Sequence, residues 1–313
     1  MKNPYKIFKL TTIKEESLYF NAREILKRDF SLSLSQKSFD ELLKQNRIRI
    51  SGAPPSHELK SIKKGVNFSI SISKSQLKSW SLPIENKREF KESMLIHEEN
   101  LFLVANKPAM LSSTATTNSK QDNLHAILTR YISGGHKEKY LSIHHRIDFE
   151  TSGLLIFCKK KSQNKFFSDL FEQRKVKKTY LALIKDPDHS FKDQKVENFL
   201  ERDPKNKMKM MSTTHGGKKA TTYFKEITHQ EGMTLVEAKP ETGRFHQIRV
   251  HLAELGFPII GDSIYSQKSE QFPRTMLHAY KLSFPHPQSD ESLEFIAPLP
   301  HDFPQNIIQL VKE

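Results

Sequence analysis

The sequence has 313 residues, 36% of them apolar, and carries a formal net charge of +14 with a pI near 9.6. Its single cysteine excludes an internal disulfide framework, no Cys/His group has zinc-ligand spacing, and no window approaches the roughly 20 apolar residues of a membrane span. Because clustered Lys and Arg release counterions from phosphates, the charge predicts a polyanionic partner. With no apolar signal segment at the N-terminus, we expect a cytoplasmic protein.

The first 75 residues predict a small basic α/β module. Residues 22–30 have apolar side chains at helical spacing, and Ser35 can cap a second helix. Alternating runs at 47–50 and 66–72 predict two strands, separated by a Gly-Ala-Pro-Pro turn. Lys and Arg number 15 here and Asp and Glu 7, so the module carries 15 − 7 = +8 of the net charge.

The sequence LSQKSFDELLKQNRIRISG, with KKG further on, resembles the alpha-L RNA-binding domain first described in a small-subunit ribosomal protein. The resemblance implies RNA contacts for Arg47 and Arg49. Gln36, Ser51 and Val66 replace an arginine, an asparagine and an aspartate that are common in that domain, which affects the RNA contacts more than the fold. The alternative is a small structural module with a solvated basic face.

Residues 76–93 are polar, contain Trp80 and Pro83, and lack periodicity, so we interpret them as a linker. A larger domain is expected over residues 94–313. Strand-like runs recur there at 101–105, 153–158, 179–184 and 234–238, with helical patterns after Ser162 and over 246–255. This mixture predicts an α+β domain with a mixed, largely antiparallel sheet, flanking helices and a central cleft.

The sequence HHRIDFETSGLLIFC, residues 144–158, places Arg146 and Asp148 two residues apart. In an extended segment both side chains point into one cleft while Ile147 points to the core. A neighbouring guanidinium favours the ionised carboxylate that a nucleophile or general base requires. Gly153 permits unusual dihedral angles or close approach of another backbone. The alternative is an ordinary surface ion pair; a protein kinase catalytic loop is excluded because Ile147 interrupts His-Arg-Asp and no glycine-rich phosphate loop is found.

Four further segments extend this pattern. They are LFLVANKPAML (101–111), RKVKKTYLALI (174–184), ETGRFHQIRVHLAELGFPIIGDSIY (241–265) and LHAYKLSFPHP (277–287). With HRIDFETSG, and in this order, they resemble the RluA-type family of RNA pseudouridine synthases over the chain from residue 95 onward. The resemblance implies isomerisation of uridine to pseudouridine in structured RNA, with no metal and no cofactor.

The resemblance also implies roles for individual residues. Asp148 matches the catalytic aspartate of the motif HRxDxxTSG, and Arg146 would hold the flipped nucleotide or the RNA backbone. Tyr180 would pack against the target base, and Arg249 would pair with the aspartate. The candidates for phosphate contacts are Lys107, Lys175, Lys177, Lys178 and Arg244.

Several positions depart from the family pattern or invite another interpretation. Phe245 replaces a common Thr, and Met110 stands where Gly is usual, so the loop there is expected to adopt different dihedral angles. His246 and His251 lie five residues apart, which does not place them on one helical face, so a metal pair is disfavoured. Cys158 is expected in the core rather than as a reactive thiol.

In this reaction the bond from ribose to the ring nitrogen breaks and a bond to carbon 5 forms, which requires the base to leave the helix and enter a pocket. Asp148 could attack the anomeric carbon, abstract a ribose proton or add to the ring.

The alternatives to an isomerase are a non-catalytic RNA-binding or ribosome-assembly factor, and a hydrolase that would need a second acid. Because an alpha-L-like domain commonly precedes synthases for ribosomal RNA, we expect ribosomal rather than transfer RNA as substrate and, by resemblance, a monomer.

Overall fold

The computed structural model describes residues 5–13, 15–30, 32–50, 63–73, 76, 87–115, 122–206, 208–266, 269, 271–289 and 291–312. Contacts divide the chain into two compact units, with a boundary between Lys87 and Arg88 that falls inside the segment interpreted as a linker. The Gly-Ala-Pro-Pro turn and Trp80 lie outside the described residues. No helix in the described ranges is long and apolar enough to cross a membrane.

Among its described residues, the first unit contains a three-stranded antiparallel sheet and the two helices α1 (Leu18–Phe30) and α2 (Gln36–Lys44). The strands are β1 (Tyr5–Thr11), β2 (Ile48–Ile50) and β3 (Asn67–Ser73), and the sheet order is β1-β3-β2. Ser35 accepts a hydrogen bond from the Ser38 amide, which confirms the predicted start of α2. Apolar side chains from both helices and from alternate strand positions form one core.

The second unit contains an eleven-stranded sheet and four α-helices among its described residues. The strands are β4 (Leu95–Glu98), β5 (Phe102–Lys107), β6 (Ser142–Ile143), β7 (Ser152–Cys158), β8 (Lys177–Lys185), β9 (Gln194–Arg202), β10 (Met210–Thr213), β11 (Lys218–Gln230), β12 (Met233–Pro240), β13 (Leu277–Pro285) and β14 (Ser292–Ile296). The helices are α3 (Leu124–Ser133), α4 (Asn164–Glu172), α5 (Gln247–Glu254) and α6 (Gln305–Lys312).

The strand order is β10-β9-β11-β12-β8-β13-β7-β5-β4, with β14 beside β13 and β6 beside β7. The described pairs are antiparallel except β13 with β7, which run parallel. The four strand-like runs of the sequence correspond to β5, β7, β8 and β12. The predicted α+β class with a mixed, largely antiparallel sheet is therefore confirmed.

Strand β7 is buried at every position because both of its faces are covered. Leu155 and Phe157 pack on the side of α3, whereas Leu154 and Ile156 pack on the side of α4. This two-sided burial explains the continuous apolar run at 153–158, since successive side chains in a strand point to opposite faces. Cys158 is fully buried in the same layer, as predicted. The strand is therefore a fixed anchor for the loop that precedes it.

Gly153 occupies the point where β7 meets the parallel strand β13. Its φ is +112°, and a Cβ atom there would lie 2.2 Å from the carbonyl oxygen of Ala279. Both properties expected of this glycine, unusual dihedral angles and close backbone approach, are present. The glycine therefore lets β7 and β13 pair at Ser152–His278 and Gly153–Ala279.

One local prediction is wrong in detail. The helix expected after Ser162 is not capped by that serine, because a 3-10 turn over Lys161–Gln163 comes first and α4 begins at Asn164. Helix α3 has no counterpart among the predictions, although Asn123 caps it and Gly134 ends it in the left-handed conformation.

Candidate active site

The loop between β6 and β7 holds Asp148 in a fixed position. Ile147 is buried at 8% exposure and packs into the core, as predicted. The Ser113 hydroxyl donates to the Ile147 carbonyl at 2.9 Å and accepts from its amide at 3.3 Å. The Thr151 amide donates to the Asp148 carbonyl at 3.2 Å, which closes the turn. With Ile147 pinned inward, the adjacent Asp148 side chain points outward, and it remains 23% exposed.

Asp148 and Arg249 form an ion pair, although they lie 101 residues apart in the chain. The guanidinium Nη1 of Arg249 donates to Oδ2 of Asp148 at 3.0 Å. The Arg249 side chain is only 4% exposed, so the pair is largely shielded from water. Such shielding strengthens the interaction relative to a surface ion pair. The structure thus brings together the two residues that the resemblance assigned to catalysis.

Asp262 orients Arg249 from the other side. Its two carboxylate oxygens accept from Nε and Nη2 of Arg249, both at 2.7 Å, and its side chain is fully buried. Burial by itself would lower the pKa of Arg249, but Asp262 first and Asp148 second outweigh it and raise that pKa above its ordinary value. The guanidinium stays charged, and the bidentate fork leaves Nη1 directed at Asp148. Asp262 lies within the recognised segment 241–265, but the sequence alone gave no role to its carboxylate.

Tyr180 lies on β8 and packs against the apolar clusters on both sides of it. Burial, and to a smaller extent the charge of Asp148, raises the pKa of Tyr180 above its ordinary value. The phenol is therefore neutral at physiological pH, and it lies close enough to Asp148 for the carboxylate charge to affect its pKa. It supplies a flat apolar surface beside Asp148, which suits a stacked base.

His246 is a second neighbour of the carboxylate that sequence reasoning missed. Its Nε2 lies 3.6 Å from Oδ2 of Asp148, and its Nδ1 is 3.0 Å from the hydroxyl of Tyr265. Burial lowers its pKa to about 4, against a smaller opposing effect of Asp148, so the imidazole is neutral at physiological pH. A left-handed backbone at His246, with φ of 54°, turns the ring toward the site just before α5 begins.

Lys107 does not occupy the position expected of an RNA-binding residue. Its side chain is fully buried, and Nζ donates to the carbonyls of Pro108, Leu111 and Phe149 at 3.0, 2.7 and 3.2 Å. Burial lowers the pKa of Lys107 to about 7, opposed by the charge of Asp148. An ammonium enclosed by three carbonyls does not reach a surface phosphate, so the predicted RNA contact is corrected to a structural role in holding the Asp148 loop.

The other predicted phosphate ligands are placed unevenly. Lys178 is two residues from Tyr180 on the same face of β8, and burial lowers its pKa, whereas Lys177 is exposed on the other face. Lys175 is exposed in the turn before β8. Arg244 lies in the loop before α5, where Nε donates to the Lys219 carbonyl at 2.9 Å. Lys178 and Arg244 thus belong to the elements that carry the site.

Three further predicted residues are not packed into this arrangement. Arg146 is exposed, although it shares the loop of Asp148. Arg47 and Arg49 belong to the first compact unit, where Arg47 donates to Oε1 of Gln76 at 2.7 Å and Arg49 is exposed. Their RNA contacts stay predictions.

The part of the chain that the structure describes holds no group of three or more His, Cys, Asp or Glu side chains suited to a metal ion. His251, half of the disfavoured metal pair, bonds to the Thr222 hydroxyl at 3.0 Å and to the Asn198 amide oxygen at 2.9 Å. Chemically, the site offers a partly exposed carboxylate held by a buried cation beside a neutral phenol. Such a group can act as nucleophile or base on a substrate that covers it.

Comparison with known proteins gives a consistent answer. A family model described as RNA pseudouridylate synthase matches residues 101–254. The uncharacterized RNA pseudouridine synthase YhcT of Bacillus subtilis is 33% identical over 77% of this chain and 78% of that protein. Ribosomal large subunit pseudouridine synthase D of Neisseria meningitidis is 34% identical over 66% of this chain and 58% of that protein. The solved human RNA pseudouridylate synthase domain containing 1 is 26% identical, with a TM-score of 0.55, over 72% of this chain and 96% of that one.

The fold, the buried ion pair and these similarities define an RNA-modifying enzyme. The chain belongs to the RluA-type family of RNA pseudouridine synthases, whose members are isomerases that form pseudouridine in RNA.

Proposed function

We propose that the protein isomerises specific uridines in ribosomal RNA, with Asp148 as the catalytic carboxylate acting on a base that has been flipped out of the RNA. The observation that carries the proposal is the Asp148–Arg249 contact of 3.0 Å, in which the arginine is 4% exposed and the aspartate 23%. A carboxylate in this setting is held by a buried cation and remains accessible from one side.

The contacts of the carboxylate suggest which oxygen reacts. Arg249 and His246 both approach Oδ2 of Asp148. We therefore assign Oδ1 to the nucleotide. Whether the carboxylate attacks the anomeric carbon, removes a ribose proton or adds to the ring, Arg249 holds it in place in a site from which the substrate displaces water.

Base flipping is supported by the burial of the groups that hold Asp148. The carboxylate is 23% exposed and its arginine partner 4% exposed, so a base stacked inside a duplex does not present its sugar and ring to this group. Extrusion costs a few kcal/mol, which stacking on Tyr180 and phosphate contacts of Lys178 and Arg244 would offset.

Ribosomal RNA is favoured over transfer RNA by the names of relatives. Among them, a ribosomal large subunit pseudouridine synthase D is 34% identical to this chain and a synthase C is 32% identical. The first 75 residues carry an excess of 15 − 7 = 8 positive charges, which suits a folded polyanion of either kind.

The substitution Asp148→Asn tests the chemistry. We expect pseudouridine formation to fall by a factor on the order of 10³ or more, with RNA affinity unchanged, because the amide keeps the size of the side chain and loses its charge. Purified protein would be incubated with total RNA from cells that lack the gene, and pseudouridine would be mapped by sequencing. Asp169→Asn, which alters an exposed ion pair on α4, is the control.

The same maps test the substrate. Pseudouridine at a ribosomal RNA site only with the wild-type protein supports the proposal, and modification confined to transfer RNA contradicts it. A wild-type protein that forms no pseudouridine in any cellular RNA would instead indicate a non-catalytic RNA-binding or assembly factor.

A further inference from the structure

An exposed aromatic ring lies one residue from the site. Phe245 is 39% exposed, although phenylalanine is usually an interior residue. Its ring stacks on His246 with a centroid distance of 3.7 Å and an interplanar angle of 24°. His246 in turn lies 3.6 Å from Asp148, so two successive contacts connect the exposed ring with the carboxylate.

The loop that presents Phe245 is rigidly held. Oε1 of Gln247 accepts from the Thr242 hydroxyl at 2.7 Å and from the Arg244 amide at 3.0 Å. Its Nε2 donates to the Thr221 carbonyl at 2.9 Å, so the loop is tied to β11. A ring on such a loop is pre-organised and loses little freedom when it binds a partner.

A cation also lies over the ring. The guanidinium carbon of Arg202, at the end of β9, is 5.5 Å from the centroid of Phe245. An imidazole and a guanidinium thus both lie close to Phe245, whose ring is still 39% exposed, and Arg244 precedes it in the chain. Exposed aromatic rings interleaved with cations are the surface that proteins use for unpaired bases, because every base has a stacking face and every nucleotide a phosphate.

We propose that Phe245 stacks on an RNA base next to the target uridine and fixes which unpaired segment enters the site. Removal of the target base from the helix leaves its neighbours without a stacking partner, and an aromatic ring near the carboxylate can take that place. This inference rests on the proposed function. Phe245 does not contact Asp148, so its contribution is to binding and not to the chemical step.

The rival explanation is that Phe245 only covers His246. A cover excludes water from the imidazole, and its loss would change how His246 titrates beside Asp148. The two explanations differ in their readout: stacking on RNA acts on KM, whereas a cover acts on the pH dependence of kcat.

The test measures kcat and KM for Phe245→Thr and Phe245→Trp on a transcript that spans the uridine mapped with the wild-type protein. Loss of a stacked base predicts that Phe245→Thr raises KM roughly 5- to 100-fold with kcat and its pH profile unchanged. Phe245→Trp should retain the wild-type KM, since it keeps a stacking surface. Phe199→Thr is the matched control, because Phe199 is 47% exposed on β9 but points to the face opposite Arg202.

The outcomes separate the inference from the function on which it rests. If the wild-type protein modifies no transcript, the proposed function itself is contradicted. If the wild type is active, four results overturn the stacking role alone. The first two are an unchanged KM for Phe245→Thr and an equally raised KM for Phe245→Trp. The others are an equally raised KM for Phe199→Thr and a shifted pH profile for Phe245→Thr at constant KM. Thermal melts of each variant verify that it is folded.

Discussion

At the scale of single residues, Arg249 is shared between two carboxylates that differ in burial. Asp262 is fully buried and accepts from Nε and Nη2, and the partly exposed Asp148 accepts from Nη1. A guanidinium has donors in a fixed fork, so fixing two of them also fixes the direction of the third. Asp262 therefore orients Arg249 toward Asp148 from the buried side.

We expect Asp262→Asn to lower the free energy of unfolding by about 3–5 kcal/mol, because it removes the buried carboxylate that holds two of the guanidinium donors and leaves only the partly exposed Asp148 as a counter-charge. Activity should also fall, since Nη1 is no longer aimed at Asp148. Denaturant unfolding and the pseudouridine assay measure the two effects. Asp169→Asn, at an exposed pair with Lys165, is the control and should leave both nearly unchanged.

The sequence predicted part of this arrangement. Asp148, Arg249 and Tyr180 could be assigned because they stand in recognisable motifs, whereas Asp262 and His246 act through contacts that only the folded chain creates. Lys107 was misassigned because a charged residue at the end of a strand is usually exposed, and the spacing of the sequence does not show its three carbonyl partners. Met110 has a φ of 58°, the left-handed region that favours glycine, so this turn retains strain of about 1–2 kcal/mol.

At the scale of elements, buried strands were easier to predict than exposed ones. The runs that correspond to β5, β7, β8 and β12 are rich in apolar residues. A strand whose two faces are both covered needs apolar side chains at successive positions. The strands β9 and β14 alternate with many charged or polar residues and were not predicted. Their pairing is determined by neighbours in the sheet rather than by their own composition.

Gly153 links two of these elements, and we expect Gly153→Ala to destabilise the protein by more than about 3 kcal/mol. The added methyl group would lie 2.2 Å from the Ala279 carbonyl oxygen and force β7 and β13 apart. Thermal or denaturant unfolding measures the loss. Gly135→Ala is the control, because Gly135 also has a positive φ, +79°, but open space around its Cα. Equal losses in both variants would show that backbone strain, and not the clash, is responsible.

At the scale of the whole molecule, burial of histidine makes stability depend on pH. His145, His246, His251 and His278 lie among the described residues, and burial lowers their pKa values to about 3, 4, 4 and 4 from 6.5. Between these values and pH 6.5 the unfolded chain binds protons that the folded chain does not. Their contribution to stability is therefore complete above pH 6.5 and is lost as the pH falls toward 4.

We expect the free energy of unfolding to fall steadily as the pH is lowered from 6.5 toward 4, by roughly 1.4 kcal/mol per pH unit for each such histidine. Denaturant titrations across this range measure the slope. His251→Gln removes one of these groups and should make the slope shallower. The exposed substitution His215→Gln is the control, and equal slopes for His251→Gln and the wild type would contradict the assignment.

The division of the chain into two units could also be predicted in part from the sequence. A basic N-terminal segment and an apolar, motif-rich remainder differ in composition, and the contact boundary after Lys87 falls between them. Whether the first unit binds RNA stays a prediction, since basic residues on a small module are equally consistent with a solvated face.

The parallel pairing of β7 with β13 also has a consequence for synthesis of the protein. Ser152 and Gly153, just after the aspartate loop, pair with His278 and Ala279 far downstream. The arginine that completes the site lies 101 residues beyond Asp148. During synthesis, the Asp148–Arg249 contact cannot form until residue 249 has been translated, and β7 cannot pair with β13 until residues 278 and 279 have followed. The candidate site is therefore completed late, long after its aspartate loop has left the ribosome.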